Sequence, residues 1–147
     1  MIRYFREGNK EGIEIRGWKI TNILASEVYI VRYRDLKDEV LKDIIKTFSN
    51  MCPNYSECYV ILEKDVDNNY IGFIIFDGFE DTHKILRILA LCEELEIYSE
   101  FGYPPRISYL NEDAEILVIK LYPTAEFVGA VLRSAYKKYK FRRWKIE

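Results

Sequence analysis

The sequence predicts a single α+β domain: an antiparallel sheet carrying helices, preceded by a β-hairpin and followed by an extra C-terminal helix. Three observations lead there. Four short segments (28–33, 58–63, 70–76 and 115–122) are rich in β-branched and aromatic residues. Three others, beginning near 35, 81 and 124, repeat their apolar residues at helical spacing. Finally, 147 residues at 49% hydrophobic and 31% charged suffice for one core and a solvated surface.

Residues 2–6 and 12–20 read as hairpin arms around Glu7-Gly8-Asn9-Lys10-Glu11-Gly12, whose two glycines permit a reversal. In the second arm Ile13, Ile15, Trp18 and Ile20 lose alternation near Gly17, which suggests a bulge. After the strand 28–33, Asp35 is expected to cap a helix to about Met51. Leu36, Val40, Leu41, Ile44, Ile45 and Phe48 form its apolar stripe, and Pro53 ends it. Strands 58–63 and 70–76 are joined by Lys64-Asp65-Val66-Asp67-Asn68-Asn69, residues that tolerate the left-handed backbone of a tight turn. A second helix is expected over 81–97, with Ile85, Ile88, Leu89, Cys92 and Leu95 inward. Gly102-Tyr103-Pro104-Pro105 breaks the chain before a short strand at 107–110 and a clear one at 115–122. Thr124 then starts a third helix predicted to run through Lys140, burying Val128, Val131, Leu132 and Ala135.

No repeat or linker divides the chain. It is read as one domain, 1–147: a hairpin extension (1–22), a core (28–122) and a basic C-terminal helix (124–147). From residue 28 the order β-α-β-β-α-β is that of the ferredoxin-like fold, two helices on one face of a four-stranded antiparallel sheet. Strand 70–76 is apolar on both sides, so its second face needs a cover: the third helix, a second subunit or a ligand.

Charge is unevenly distributed. Residues 133–147 carry Arg133, Lys137, Lys138, Lys140, Arg142, Arg143 and Lys145 against one acid, a net of +6, whereas the other 132 residues sum to −8. Tyr136, Tyr139, Phe141 and Trp144 are interleaved with this run. On a continuous helix Arg133, Lys137, Lys140 and Trp144 would share one face, a cationic stripe beside an indole that suits phosphate contact and stacking. A solvated helix end complementing the helix dipole, or a tail lying on its own acidic body, explains the same charges.

The segments Val28-Tyr29-Ile30-Val31-Arg32-Tyr33 and Asn69-Tyr70-Ile71-Gly72-Phe73-Ile74-Ile75-Phe76 resemble the two signature strands of the RNA-recognition-motif family, the second at Gly72, Phe73, Ile74 and Phe76. Phe79-Glu80-Asp81-Thr82 is similar to that family's entry into its second helix, so the resemblance covers about 28–97. It implies base stacking on Tyr29 and Phe73, with Ile71 at the third stacking position and Asn69 at the usually basic one. Tyr139 joins Tyr29 and Phe73 as a stacking candidate. A sheet face closed by protein is the competing reading of the same aliphatic strand.

Catalytic and metal chemistry find little footing. Cys52, Cys58 and Cys92 are expected to be reduced thiols, their count odd and their spacing wider than zinc motifs use. His83 is the sole histidine, and Asp65-Val66-Asp67 reads as turn chemistry before it reads as a Mg²⁺ site. No Walker or dinucleotide glycine pattern occurs. The expectation is therefore a cytoplasmic, non-enzymatic protein without cofactor, metal or membrane partner, associated with single-stranded nucleic acid through Arg133 to Lys145. The alternative is a homodimeric interaction or regulatory module that self-associates through the apolar sheet face. Enrichment in Ile, Glu, Lys and Tyr, with no glutamine, suggests a thermophilic source.

Overall fold

The computed structural model describes residues 2–39, 42–43, 45–46, 57–78, 106–110 and 116–141. Its mixed α+β architecture is dominated by antiparallel pairing. Strands β1 (Ile2–Glu7), β2 (Lys10–Ile15) and β3 (Trp18–Thr21) form a small meander. Strands β4 (Ala25–Arg32), β5 (Glu57–Asp65), β6 (Tyr70–Asp77), β7 (Arg106–Leu110), β8 (Ile116–Leu121) and β9 (Lys137–Lys140) form a six-stranded sheet ordered β7-β8-β6-β5-β4-β9. One helix, α1 (Ala125–Ser134), links the last two strands.

The ferredoxin-like order is not the one observed. It would set the strand at 28–33 between those at 70–76 and 115–122, but β4 pairs antiparallel with β5, from Glu27 opposite Lys64 to Arg32 opposite Tyr59. Strands β4, β5, β6 and β8 lie side by side in chain order, and element order alone does not distinguish the two arrangements. The predicted helix at 35–51 also starts differently. Tyr33–Asp35 make a 3₁₀ turn, and helical backbone appears at 39, 42–43 and 45–46, with Lys42 N donating to Asp38 O. The helix expected over 81–97, and His83 with it, lies outside the described residues.

The irregularity at Gly17 is a turn and not a bulge. Arg16 (φ 44°) and Gly17 (φ 92°) both take left-handed backbone, and Ile15 pairs directly with Trp18 across them. This is the two-residue reversal whose twist matches the flanking strands, and it splits the predicted second arm into β2 and β3. The β5–β6 turn follows its sequence closely. Asp65 Oδ1 accepts from the backbone N–H of Asp67 (2.8 Å) and Asn69 (2.9 Å), and Asn68 takes φ 63°.

Two cores lie on either side of the large sheet. On one face Phe127, Ala130 and Val131 of α1 pack on Val60, Leu62, Ile74, Leu117 and Ile119. Gly72 makes this seat possible, because a Cβ there would stand 2.7 Å from Leu121 Cδ1 and 3.2 Å from Phe127 Cε1. On the other face Ile13, Ile15, Trp18 and Ile20 of the small sheet pack on Ile30, Ile61, Phe73, Ile75 and Val118. The second face of β6 is therefore covered by the N-terminal meander, none of the three covers the sequence pointed to. Each fully buried aliphatic or aromatic side chain contributes about 1.5–3 kcal/mol, so both faces are substantial.

Candidate nucleic-acid interface

The predicted third helix ends at Ser134. Thr124 caps its start, its side chain accepting from Phe127 N. At its end the buried Ser134 Oγ accepts from Lys37 N at 3.2 Å, and Ala135 turns to extended backbone (φ −59°, ψ 125°). Residues 137–140 then add to the β4 edge as β9, with Lys138 opposite Tyr29 and Lys140 opposite Glu27. Tyr136 N and Phe141 N extend the connection by donating to Ile30 O and Ser26 O.

This strand overturns the single cationic stripe. In a strand neighbouring side chains point to opposite faces, so Lys137 and Lys140 are separated by the sheet. Lys138 and Lys140 lie on the α1 side with Glu27 and Tyr29, and Lys137 and Tyr139 lie on the side of the N-terminal sheet. The missed signal is the alternation of Tyr139 and Phe141 with Lys138 and Lys140, a two-residue period that competes with the helical spacing of the same lysines. Phe141 is 4% exposed and belongs to the inter-sheet core.

Charges along this edge are partly matched. Glu27 receives the Tyr29 hydroxyl (2.6 Å) and faces Lys64 Nζ (3.4 Å) and Lys138 Nζ (3.6 Å). The hydrogen bond from Tyr29, with Lys138 and Lys64 adding to it against the cost of burial, holds the Glu27 carboxyl below its usual range. Burial, and then the neighbouring Glu27, push the Tyr29 hydroxyl up to about 12. Lys138 Nζ also stands 5.2 Å above the Tyr29 ring, and Lys137 Nζ 6.0 Å from that of Tyr136. Lys140 and Arg133 are exposed and form no ion pair among the described residues. Arg142, Arg143, Trp144 and Lys145 lie outside the described residues.

The stacking candidates are dispersed. Tyr29 opposes Leu62 and faces α1, whereas Phe73 opposes Ile61 and faces the small sheet. Phe73 is 6% exposed with its ring edge-on to Trp18 at 4.9 Å, inside the inter-sheet core. Tyr139 is half-buried and stacked on Tyr4 of β1, centroids 5.6 Å apart and planes 10° from parallel. Tyr4 in turn donates its hydroxyl to the buried Glu11, which raises the Tyr4 pKa. No common platform joins Tyr29 and Phe73, because the sheet lies between them.

The arrangement defines an α+β protein of two antiparallel sheets with a lysine-bearing edge strand. No protein-family model, curated protein or solved structure matches the chain. Among the described residues, no helix is long and apolar enough to cross a membrane.

Proposed function

We propose that this protein associates with single-stranded nucleic acid along the β9 edge and the basic residues that follow it. The supporting observation is that the terminal strand of the large sheet exposes Lys137, Lys138 and Lys140 and leads directly into Arg142, Arg143 and Lys145. Among the described residues no strand pairs with the outer side of β9, and its lysines project to both faces, so a flexible polyanion can wrap the edge where a rigid duplex meets only one side of it. Trp144 is the residue suited to stack a base. Lysines on an exposed edge also discourage edge-to-edge pairing between copies, which supports a solvated edge open to ligands.

Fluorescence anisotropy with single-stranded RNA, single-stranded DNA and duplex DNA across a salt series tests the proposal. The expected result is preference for a single strand, with a log–log salt slope of about −2 to −4 for three to five neutralised phosphates. Replacing Lys137, Lys140 and Arg143 by glutamate abolishes binding if the edge carries it; unchanged binding rejects it. The self-association reading has lost its motive, since β1–β3 occupy the apolar face that asked for a second copy.

A further inference from the structure

A cleft of about 330 Å³ opens at one corner of the inter-sheet layer, where β3 and the 22–24 turn overhang β5, β6 and β8. Trp18, Ile20 and Leu24 form much of its apolar lining, and Glu63 and Lys120 bring charge to it, whereas Lys19 projects from the other face of β3 beside Glu14. Glu63 and Lys120 project from the same sheet face, Glu63 opposite Val28 and Ile71, Lys120 opposite Phe73. They close no ion pair with each other or with any other described residue. Lys120 Nζ rests 5.6 Å from the Tyr122 ring. Burial raises the Glu63 carboxyl, with Lys120 pulling the other way.

Carboxylate and ammonium groups that line one cleft without meeting leave both charges incompletely compensated. A cation would satisfy Glu63 alone, and an anion only Lys120. A zwitterion bridges both. The volume lies at the small end of ligand sites, and the apolar wall suits one hydrocarbon side chain. We propose that this cleft binds a free α-amino acid with a branched aliphatic or aromatic side chain. Its ammonium group meets Glu63, its carboxylate meets Lys120, and its side chain lies against Trp18, Ile20 and Leu24. The site is separate from the β9 edge and independent of nucleic-acid binding.

The test uses Trp18 as its own reporter. The chain has two tryptophans, so Trp144→Phe leaves Trp18 as the sole indole. L-Leucine and L-phenylalanine are titrated to about 10 mM, the weak end of specific binding, beside N-acetyl-leucine and leucinamide, which each lack one of the two charges. The expected result is a saturable change in Trp18 emission with leucine or phenylalanine. Each blocked analogue then binds at least about tenfold more weakly, and Glu63→Gln weakens leucine by a similar factor. No saturable response to either amino acid, or N-acetyl-leucine binding as well as leucine, overturns the proposal. The analogue series reads the unaltered cleft, so the conclusion stands even if Glu63→Gln perturbs folding.

Discussion

The two faces of the large sheet are built from equally apolar residues yet are closed in different ways. The α1 face is sealed by a helix whose Phe127 and Val131 are fully buried, and its ordered charges sit at the margin, where Glu27 is saturated by Tyr29, Lys64 and Lys138. The opposite face is sealed by a second sheet. There charge enters the layer itself: Arg16 of the β2–β3 turn pairs with the buried Asp77, and Glu63 stands in a cleft with its carboxyl raised. Two twisted sheets meet closely at their centre and diverge at their corners, whereas a helix settles along the sheet surface. Among the described residues the cleft accordingly lies on the sheet-on-sheet side.

The contrast can be broken by mutation. Phe127→Ala should cost about 4 kcal/mol in denaturant unfolding, the full price of a large core cavity. Trp18→Ala should fall nearer 3 kcal/mol, because that ring is 8% exposed at the cleft margin and its loss partly opens to water. If the order of the two is reversed, the inter-sheet layer is the tighter core and the comparison fails.

Gly12→Ala probes the small sheet alone, since its Cβ would lie 2.2 Å from the Ile20 carbonyl oxygen and 3.1 Å from the Phe5 ring. A loss of about 2–3 kcal/mol is expected as β2 and β3 separate, with hydrogen exchange accelerated in β1–β3 before β4–β6. Uniform acceleration throughout would mean that the two sheets unfold as one unit.

The two carboxylates give the smallest effects and opposite signs. Glu27→Gln should destabilise by about 1 kcal/mol at neutral pH. Its folded carboxyl lies below the ordinary 4.5, so the stabilisation is present above the unfolded value and disappears as pH falls through the folded one. Glu63 lies above that ordinary value. Its contribution is present below the unfolded value and lost as pH rises through the folded one. Glu63→Gln should therefore raise the Tm by roughly 2 °C at pH 7 and by nothing at pH 3. Parallel pH profiles for the two variants would show that the faces do not differ electrostatically.

Much of the local structure was legible in the chain. Asp65, Asn68 and Asn69 announce the β5–β6 turn because their side chains and backbone make it unaided, and the apolar runs at 70–76 and 115–122 are strands wherever they pack. Gly72 was legible as a special position, but its role as the seat for Phe127 was not. The β2–β3 turn was read as a bulge because Arg16, at φ 44°, carries none of the usual turn signature. At the candidate interface the basic, aromatic segment was visible as composition, while its conformation was misread. Lysines at 137 and 140 fit a helical stripe as well as an edge strand until Tyr139 and Phe141 have a sheet to join. The Glu63 cleft left no sequence signal at all, being assembled from residues 18, 63 and 120.

By itself the sequence determined the strands near 28–33, 58–63, 70–76 and 115–122, the β5–β6 turn and that strand 70–76 must be covered on both faces, because periodicity and turn chemistry act over a few residues. Only the tertiary structure decided the strand order, the identity of the cover and the fate of residues 137–140. Those depend on which apolar surfaces meet over separations of tens of residues, where several pairings satisfy the same local pattern and the packing of whole faces selects among them.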